Sequence, residues 1–326
     1  MVRFTVLASG SKGNSTVVSG GGTRILLDAG LSCRETFRRM KLAGEDPETL
    51  DAIVITHEHQ DHVNGLAAIA RKLGIPAYMT EATHRAWMRW LTPRRQMTYA
   101  QWLEQCRQQA AERQAEVDPE SAEGEADESE AGGEMPAAMA AAETPDGAEK
   151  PCPRQEDPAW LPTVEYFAAG STFRIGDIDL SAFTIPHDAA DPVGFVIRTE
   201  GVRMGFATDL GYVPPNVKAQ LKGVDLLLLE SNHDLEMLRD GPYPWQVKQR
   251  VLSRVGHLSN EAAAEFLATG YDGQAAYVIL AHLSESNNLP DLARLAADQA
   301  LSGRASLLAN KLLIASQHEP LESITF

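Results

Sequence analysis

The chain reads as an α/β protein in which two β-sheets pack together under a cover of helices. Three observations predict this. Blocks rich in strand-forming runs alternate twice with helical segments along the 326 residues. The 44% hydrophobic content is enough for a substantial core at this length. Side chains with metal-binding or acid–base chemistry recur just after apolar runs, and strand ends are the ligand-binding edge of layered α/β folds.

Taken in order, Met1 leads straight into Arg3-Phe4-Thr5-Val6-Leu7, which predicts a strand over 2–8. Strands over 16–19 and 23–28 follow, then a helix over 31–43. The run Asp51-Ala52-Ile53-Val54-Ile55 predicts a buried strand over 52–55. Val63 to Leu73 reads as a helix, Ala77-Tyr78-Met79 as a short strand and 81–91 as a helix. Strand-like runs return at 163–168, 172–175, 178–184, 193–199 and 202–207. A helix begins after Pro214-Pro215, followed by the strand Asp225-Leu226-Leu227-Leu228-Leu229. Helices are expected at 244–255, 259–269 and 290–303, with a strand at 275–280 between the last two.

One segment stands apart. Residues 106–158 are rich in Ala, Glu, Pro and Gly and nearly lack aromatics and branched aliphatics. Such a composition cannot bury enough apolar area to offset the entropy of ordering, so a disordered acidic insertion within a single domain, 1–326, is expected. Its first part, Tyr99 to Val117, has the pattern to extend a helix. The net charge of -16 is concentrated here: Glu104 to Asp157 holds sixteen acidic and four basic residues, leaving 25 basic against 29 acidic elsewhere. The acidity therefore does not argue against a polyanionic partner for the rest of the chain. Cys33, Cys106 and Cys152 are scattered and odd in number, which favours neither a disulfide framework nor a Cys-based zinc site. No apolar run is long enough to span a bilayer and no signal-peptide pattern is seen, so a cytoplasmic protein with no membrane partner is expected.

Residues 56–62 read Thr-His-Glu-His-Gln-Asp-His, directly after a buried strand. His57, His59, Asp61 and His62 thus crowd four nitrogen or oxygen metal ligands into six positions, using three of the chain's nine histidines. Adjacent residues on a regular strand face opposite ways, so Asp61 and His62 converge only if the chain turns. Four ligands from so short a stretch point to two neighbouring metals. Further candidates each follow a strand: His187 after Ser181 to Ile185, Asp209 after Arg203 to Ala207, and His282 after Ala275 to Ala281. Singly each is as consistent with an ordinary loop residue; together, in this order, they form a constellation.

That constellation resembles the metallo-β-lactamase superfamily, whose hallmark is His-x-His-x-Asp-His followed by separate His, Asp and His ligands. The resemblance covers essentially the whole chain except the insertion and implies a four-layer αββα sandwich of two mixed β-sheets. Within the superfamily, Ser9-Gly10-Ser11-Lys12-Gly13-Asn14-Ser15, Leu27-Asp28-Ala29-Gly30, Pro186-His187-Asp188-Ala189, Glu230-Ser231-Asn232-His233-Asp234, Gly256-His257-Leu258-Ser259-Asn260 and Ala281-His282-Leu283-Ser284 are similar to the YycJ/WalJ group. Members of that group are regarded as 5′ to 3′ DNA exonucleases, so DNA is the implied substrate. The resemblance further implies that His57, His59 and His187 hold one divalent ion, Asp61, His62 and His282 the other, and that Asp209 bridges them. Zinc fits the donor set by softness and manganese nearly as well.

Two such ions lower the pKa of a shared water and clamp phosphodiester oxygens in line, with Asp61 orienting the nucleophile and accepting its proton. His257 is the candidate proton donor to the leaving group, freed by Gly256 and followed by Ser259 as a helix cap. Ser11, Asn14 and His233 are candidate substrate contacts. The Ser9–Ser15 loop fits a phosphate cradle or a plain hairpin turn, and it is not a Walker A loop. Asp28 reads as a hydrogen-bond acceptor supporting the ligand loop. Basic residues cluster as Arg34, Arg38, Arg39 and Lys41; as Arg85, Arg89, Arg94 and Arg95 beside Trp87, Trp90 and Trp102; and as Lys248, Arg250 and Arg254. A nuclease needs at least one group to face the metals. The competing readings are a hydrolase of a small phosphodiester, thioester or lactone, and a non-hydrolytic di-iron or sensor protein.

Overall fold

Leu226, Leu227, Leu228 and Leu229 are apolar at successive positions because their strand is covered on both faces. Leu226 and Leu228 join one buried cluster, whereas Leu227 and Leu229 join another. Phe4, Val6, Ile25 and Leu27 do the same in the other half of the chain, facing the first cluster while Leu7 and Leu26 face a third. The period-2 alternation of strand side chains thus builds one core between two sheets and one outside each.

The computed structural model of the protein describes residues 1–91, 157–302 and 311–326. Of the expected insertion, 106–158, only Asp157 and Pro158 fall within them; the carbonyls of both accept hydrogen bonds from Arg71. The first sheet holds β1 (Arg3–Ala8), β2 (Ser15–Gly20), β3 (Thr23–Leu27), β4 (Ala52–Val54), β5 (Ala77–Met79) and β6 (Val164–Tyr166), with β14 (Ile324–Thr325) beside β1. The second runs from β7 (Thr172–Ile175) through β8 (Ile178–Thr184), β9 (Val193–Thr199), β10 (Val202–Ala207), β11 (Leu226–Glu230) and β12 (Tyr277–Ala281) to β13 (Lys311–Ile314). Each begins antiparallel and continues parallel, the change falling after β3 and after β10. Helices α1 (Cys33–Leu42), α3 (Leu66–Leu73) and α4 (Glu81–Leu91) supply Met40, Ile69 and Trp87 to the outer face of the first sheet. Helices α5 (Pro215–Gln220), α8 (Asn260–Glu265) and α9 (Pro290–Ser302) do so for the second with Val217, Ala263 and Ala293. The architecture is the expected four-layer sandwich.

Register places the chemistry. Ala207 pairs with Leu229 and Glu230 with Ala281, so β10, β11 and β12 end level and deliver Asp209, Glu230 and His282 to one edge. On the first sheet Leu27 pairs with Val54, which sets Asp28 beside Thr56. The helix expected from Val63 is divided: α2 (Gln60–Val63) precedes α3 and supplies the turn that brings Asp61 and His62 round. Helix α6 (Leu235–Asp240) and strands β13 and β14 were not expected from sequence, and the helix expected over 244–255 is confined to α7 (Trp245–Val251). These elements are short and take their identity from the neighbours they pack or pair with, as β13 does from β12.

Candidate metal centre

All seven expected ligands meet at the level edge of the two sheets. Ligand atoms of His57, His59 and His187 lie within 4.8 Å of one another, as do those of Asp61, His62 and His282, and those of His57, His62 and Asp209. Nε2 of His187 is 3.2 Å from Nδ1 of His59, and Nε2 of His282 is 3.3 Å from Asp209 and 3.4 Å from Asp61.

The outward nitrogens explain which atoms face inward. Nδ1 of His62 donates to Asp28 (2.8 Å), Nδ1 of His282 to Glu230 (3.0 Å), Nδ1 of His187 to the Gly256 carbonyl (3.2 Å) and Nδ1 of His57 to the Thr56 hydroxyl (3.0 Å). An imidazole whose Nδ1 carries the proton presents a lone pair at Nε2, the arrangement a cation requires. Nε2 of His57 and Oδ2 of Asp209 are buried without a hydrogen-bond partner. Orphaned buried acceptors converging in this way fit a bound divalent ion. Burial works against charge on His62 and His282, yet Asp209 and the other nearby carboxylates outweigh it and hold both imidazoles well above their usual range. A cation in the centre answers the same negative charge and displaces those protons. At His57, burial together with His62, His187 and His59 pushes the other way, well below that range.

The backbone is bent to make this convergence. Asp28, Asp209 and His282 have φ of 58°, 60° and 57°, the left-handed region that non-glycine residues enter only when their surroundings impose it. Gly30 is needed for contact: a Cβ there would lie 1.7 Å from the Asp61 carbonyl and 2.5 Å from the Asn14 amide. Gly256 serves similarly, its Cβ position being 2.2 Å from the Val251 carbonyl, so close packing rather than conformational freedom explains the glycine before His257.

A model of the Metallo-beta-lactamase superfamily matches residues 8–257. The chain belongs to the metallo-beta-lactamase superfamily. It is 32% identical over 300 residues to exodeoxyribonuclease YycJ of Bacillus anthracis, covering 92% of this chain and 89% of that protein. It is 31% identical to exodeoxyribonuclease WalJ of Streptococcus pneumoniae serotype 2 (strain D39 / NCTC 7466), over 90% of this chain and 86% of the relative. Among solved structures, the metallo-beta-lactamase fold protein YhfI from Bacillus subtilis superposes with a TM-score of 0.60 at 14% identity, covering 98% of each chain, a likeness of fold.

Members of this superfamily bind divalent metals, and the remaining candidates sort by their distance from that centre. His257 stands at its mouth, with its ring centroid 5.2 Å from those of both His187 and His282 and its Nδ1 2.7 Å from Glu230. Asn14 is buried, its Nδ2 donating to Asp61 Oδ2 (3.2 Å) and lying 3.1 Å from His62 Nε2. Ser11 is exposed at the loop tip, where neighbouring Lys12 pairs with Glu285. His233 is buried with both ring nitrogens unpartnered; burial lowers its pKa to about 4, and it belongs to none of the convergent ligand groups.

Glu230 carries more than sequence reasoning gave it. Its Oε1 accepts from His257 and His282, and its Oε2 from the Leu210 and Leu258 amides at 2.8 and 3.1 Å. The sequence signal for it is a lone carboxylate closing a run of leucines.

The basic clusters divide too. Arg39 is buried against the Leu7 and Gln317 carbonyls, and Arg38 pairs with Glu35. Arg85 pairs with Glu81, Trp87 is buried, Trp90 is exposed, and Arg94, Arg95 and Trp102 lie outside the described residues. Lys248 is tied to the Arg239 and Gly241 carbonyls. Among the described residues of these clusters, Arg250 alone bonds to a residue adjoining a candidate ligand, Asp188 next to His187. No helix among the described residues is long and apolar enough to cross a membrane.

Proposed function

We propose that this chain is a metal-dependent exodeoxyribonuclease that degrades DNA from 5′ to 3′, using two divalent ions, manganese or zinc. The observation that carries this reading is the whole-chain similarity to exodeoxyribonucleases YycJ and WalJ in a chain whose ligand constellation is complete. In this reading His57, His59 and His187 would hold one ion and Asp61, His62 and His282 the other, with Asp209 as a ligand shared by the two. When bound, such a pair supplies a water activated at neutral pH and a clamp on the phosphodiester oxygens.

The chain's own residues do the rest. Asp61, held by Asn14 Nδ2, presents a carboxylate that orients the attacking water and takes its proton. Its side chain is 22% exposed, so it faces the mouth. Glu230 is fully buried, yet His257 and His282 keep it ionised well below the usual carboxylate range. Its Oε1 accepts from Nδ1 of His257 and fixes that ring, leaving Nε2 as the atom that protonates the departing oxygen. Asp28 and Thr56 fix the ring of His62 and Glu230 that of His282, each by its Nδ1.

The test is to incubate purified protein with end-labelled single-stranded and duplex DNA, with manganese or zinc added. Mononucleotides should appear from the 5′ end, and chelation should stop their release. Internal cuts alone, or no release with either metal, would refute the reading.

A further inference from the structure

Two carboxylates, Asp61 and Asp188, are partly exposed beside the centre, a poor match for a polyanionic strand. Asp61, Asp188 and His257 have side chains 22%, 27% and 21% exposed there. Arg250, on α7, brings a positive charge beside them. Its side chain is 60% exposed, and Nε donates to Oδ2 of Asp188. Among the described residues no other acceptor takes a hydrogen bond from this guanidinium. One edge of the planar fork is thus anchored while the terminal N–H groups remain available, the geometry that matches two phosphate oxygens.

The anchor is itself fixed to the centre. Asp188 adjoins His187, and its Oδ1 is 3.5 Å from Nε2 of that histidine. Its amide donates to the Val255 carbonyl at 3.0 Å, while Nδ1 of His187 donates to the next carbonyl, Gly256. The segment carrying Arg250 is therefore stitched to the strand end carrying His187. The guanidinium is cationic at neutral pH, and the hydrogen bond to Asp188 fixes where that charge sits.

We infer that Arg250 is a phosphate-binding residue of this site, gripping a nucleic-acid phosphate next to the one being cleaved, with Asp188 as its tether. This rests on the nuclease reading and adds to it a contact that a chain of phosphates meets and a small phosphodiester does not. A charge-assisted pair at this distance from the chemistry acts on strand binding, not on bond cleavage.

The experiment measures initial rates of digestion of a single-stranded oligonucleotide over a range of salt, with whichever of manganese or zinc gives the faster wild-type rate. R250Q should raise KM about tenfold and change kcat less than threefold. The slope of log(kcat/KM) against log salt should become shallower by about 0.7, the loss of one phosphate contact on a single strand. R250K should keep the wild-type slope and recover only part of KM, because a lysine retains the charge without the fork. R174Q is the control: Arg174 is an exposed arginine paired with Asp179 at the far end of β8 from His187, and removing it should move neither quantity. A wild-type protein that digests DNA alongside an R250Q variant with unchanged KM and slope overturns this role for Arg250 and spares the nuclease reading. An R174Q variant matching R250Q also overturns it, by showing an effect of overall charge. A wild-type protein inactive on DNA removes both.

Discussion

Glu230→Gln is the most informative perturbation of the centre, because one buried carboxylate there serves four donors. Nδ1 of His257 is 2.7 Å and Nδ1 of His282 3.0 Å from Oε1, and the Leu210 and Leu258 amides are 2.8 and 3.1 Å from Oε2. An amide side chain keeps one acceptor oxygen and turns the other into an N–H donor. If its oxygen stays with the two backbone amides, its nitrogen faces both imidazoles and drives their protons to Nε2. His282 then presents N–H where Asp61 and Asp209 converge, and His257 loses the acceptor that fixes its ring. Losing the group that orients a metal-ligating histidine costs about 10–100-fold in metal affinity or activity. Losing a general acid costs roughly 10²–10⁴ in rate. The two effects share one residue and are not additive, so we expect kcat/KM on DNA to fall about 10³-fold. The mispaired donors should also destabilise the fold by about 1–3 kcal/mol. Elemental analysis after dialysis, initial rates at saturating metal and a thermal melt separate these effects. A variant with wild-type metal content and rate would refute the role assigned to Glu230.

Asp209→Asn should release metal and abolish activity together; unchanged metal content by elemental analysis would contradict its proposed place between two ions. His257→Gln should keep its metal and lose roughly 10²–10⁴ in kcat, and full turnover in that variant removes it as the proton donor. In metal-stripped protein, His62 and His282 are held above the ordinary histidine value, so the stability they add is complete below about pH 6.5 and lost as pH rises through their folded values. His57, His59, His187 and His233 are held below the ordinary value and oppose this near pH 6, so the comparison starts above it: the melting temperature of that form should be lower at about pH 9 than at about pH 7.5, and metal uptake should release protons measurably by calorimetry in buffers of different ionisation enthalpy. A stability that is flat or rising over that range contradicts the argument.

The metal constellation was legible in the sequence because its residue types are rare and its spacing local. Three histidines and an aspartate within six positions require a turn, and α2 provides it. The αββα layering was legible from the same kind of signal, since strands covered on both faces read as unbroken apolar runs. Strands β13 and β14 were not, because four and two residues of pairing leave no periodicity to detect.

What the sequence could not hold is the relation between distant residues. That Glu230 binds both His257 and His282, that Asp28 reaches His62, and that Arg250 is tied beside His187 all follow from strands ending level across two sheets. The left-handed backbone at Asp28, Asp209 and His282 belongs to the same class, because neighbouring residues do not impose it and the packed layers do. Sequence alone determined which candidate ligands exist and that they follow strands, since both are properties of short stretches of chain. Tertiary structure alone decided which nitrogen of His62, His187 and His282 faces inward, because that depends on an acceptor brought from a distant part of the chain.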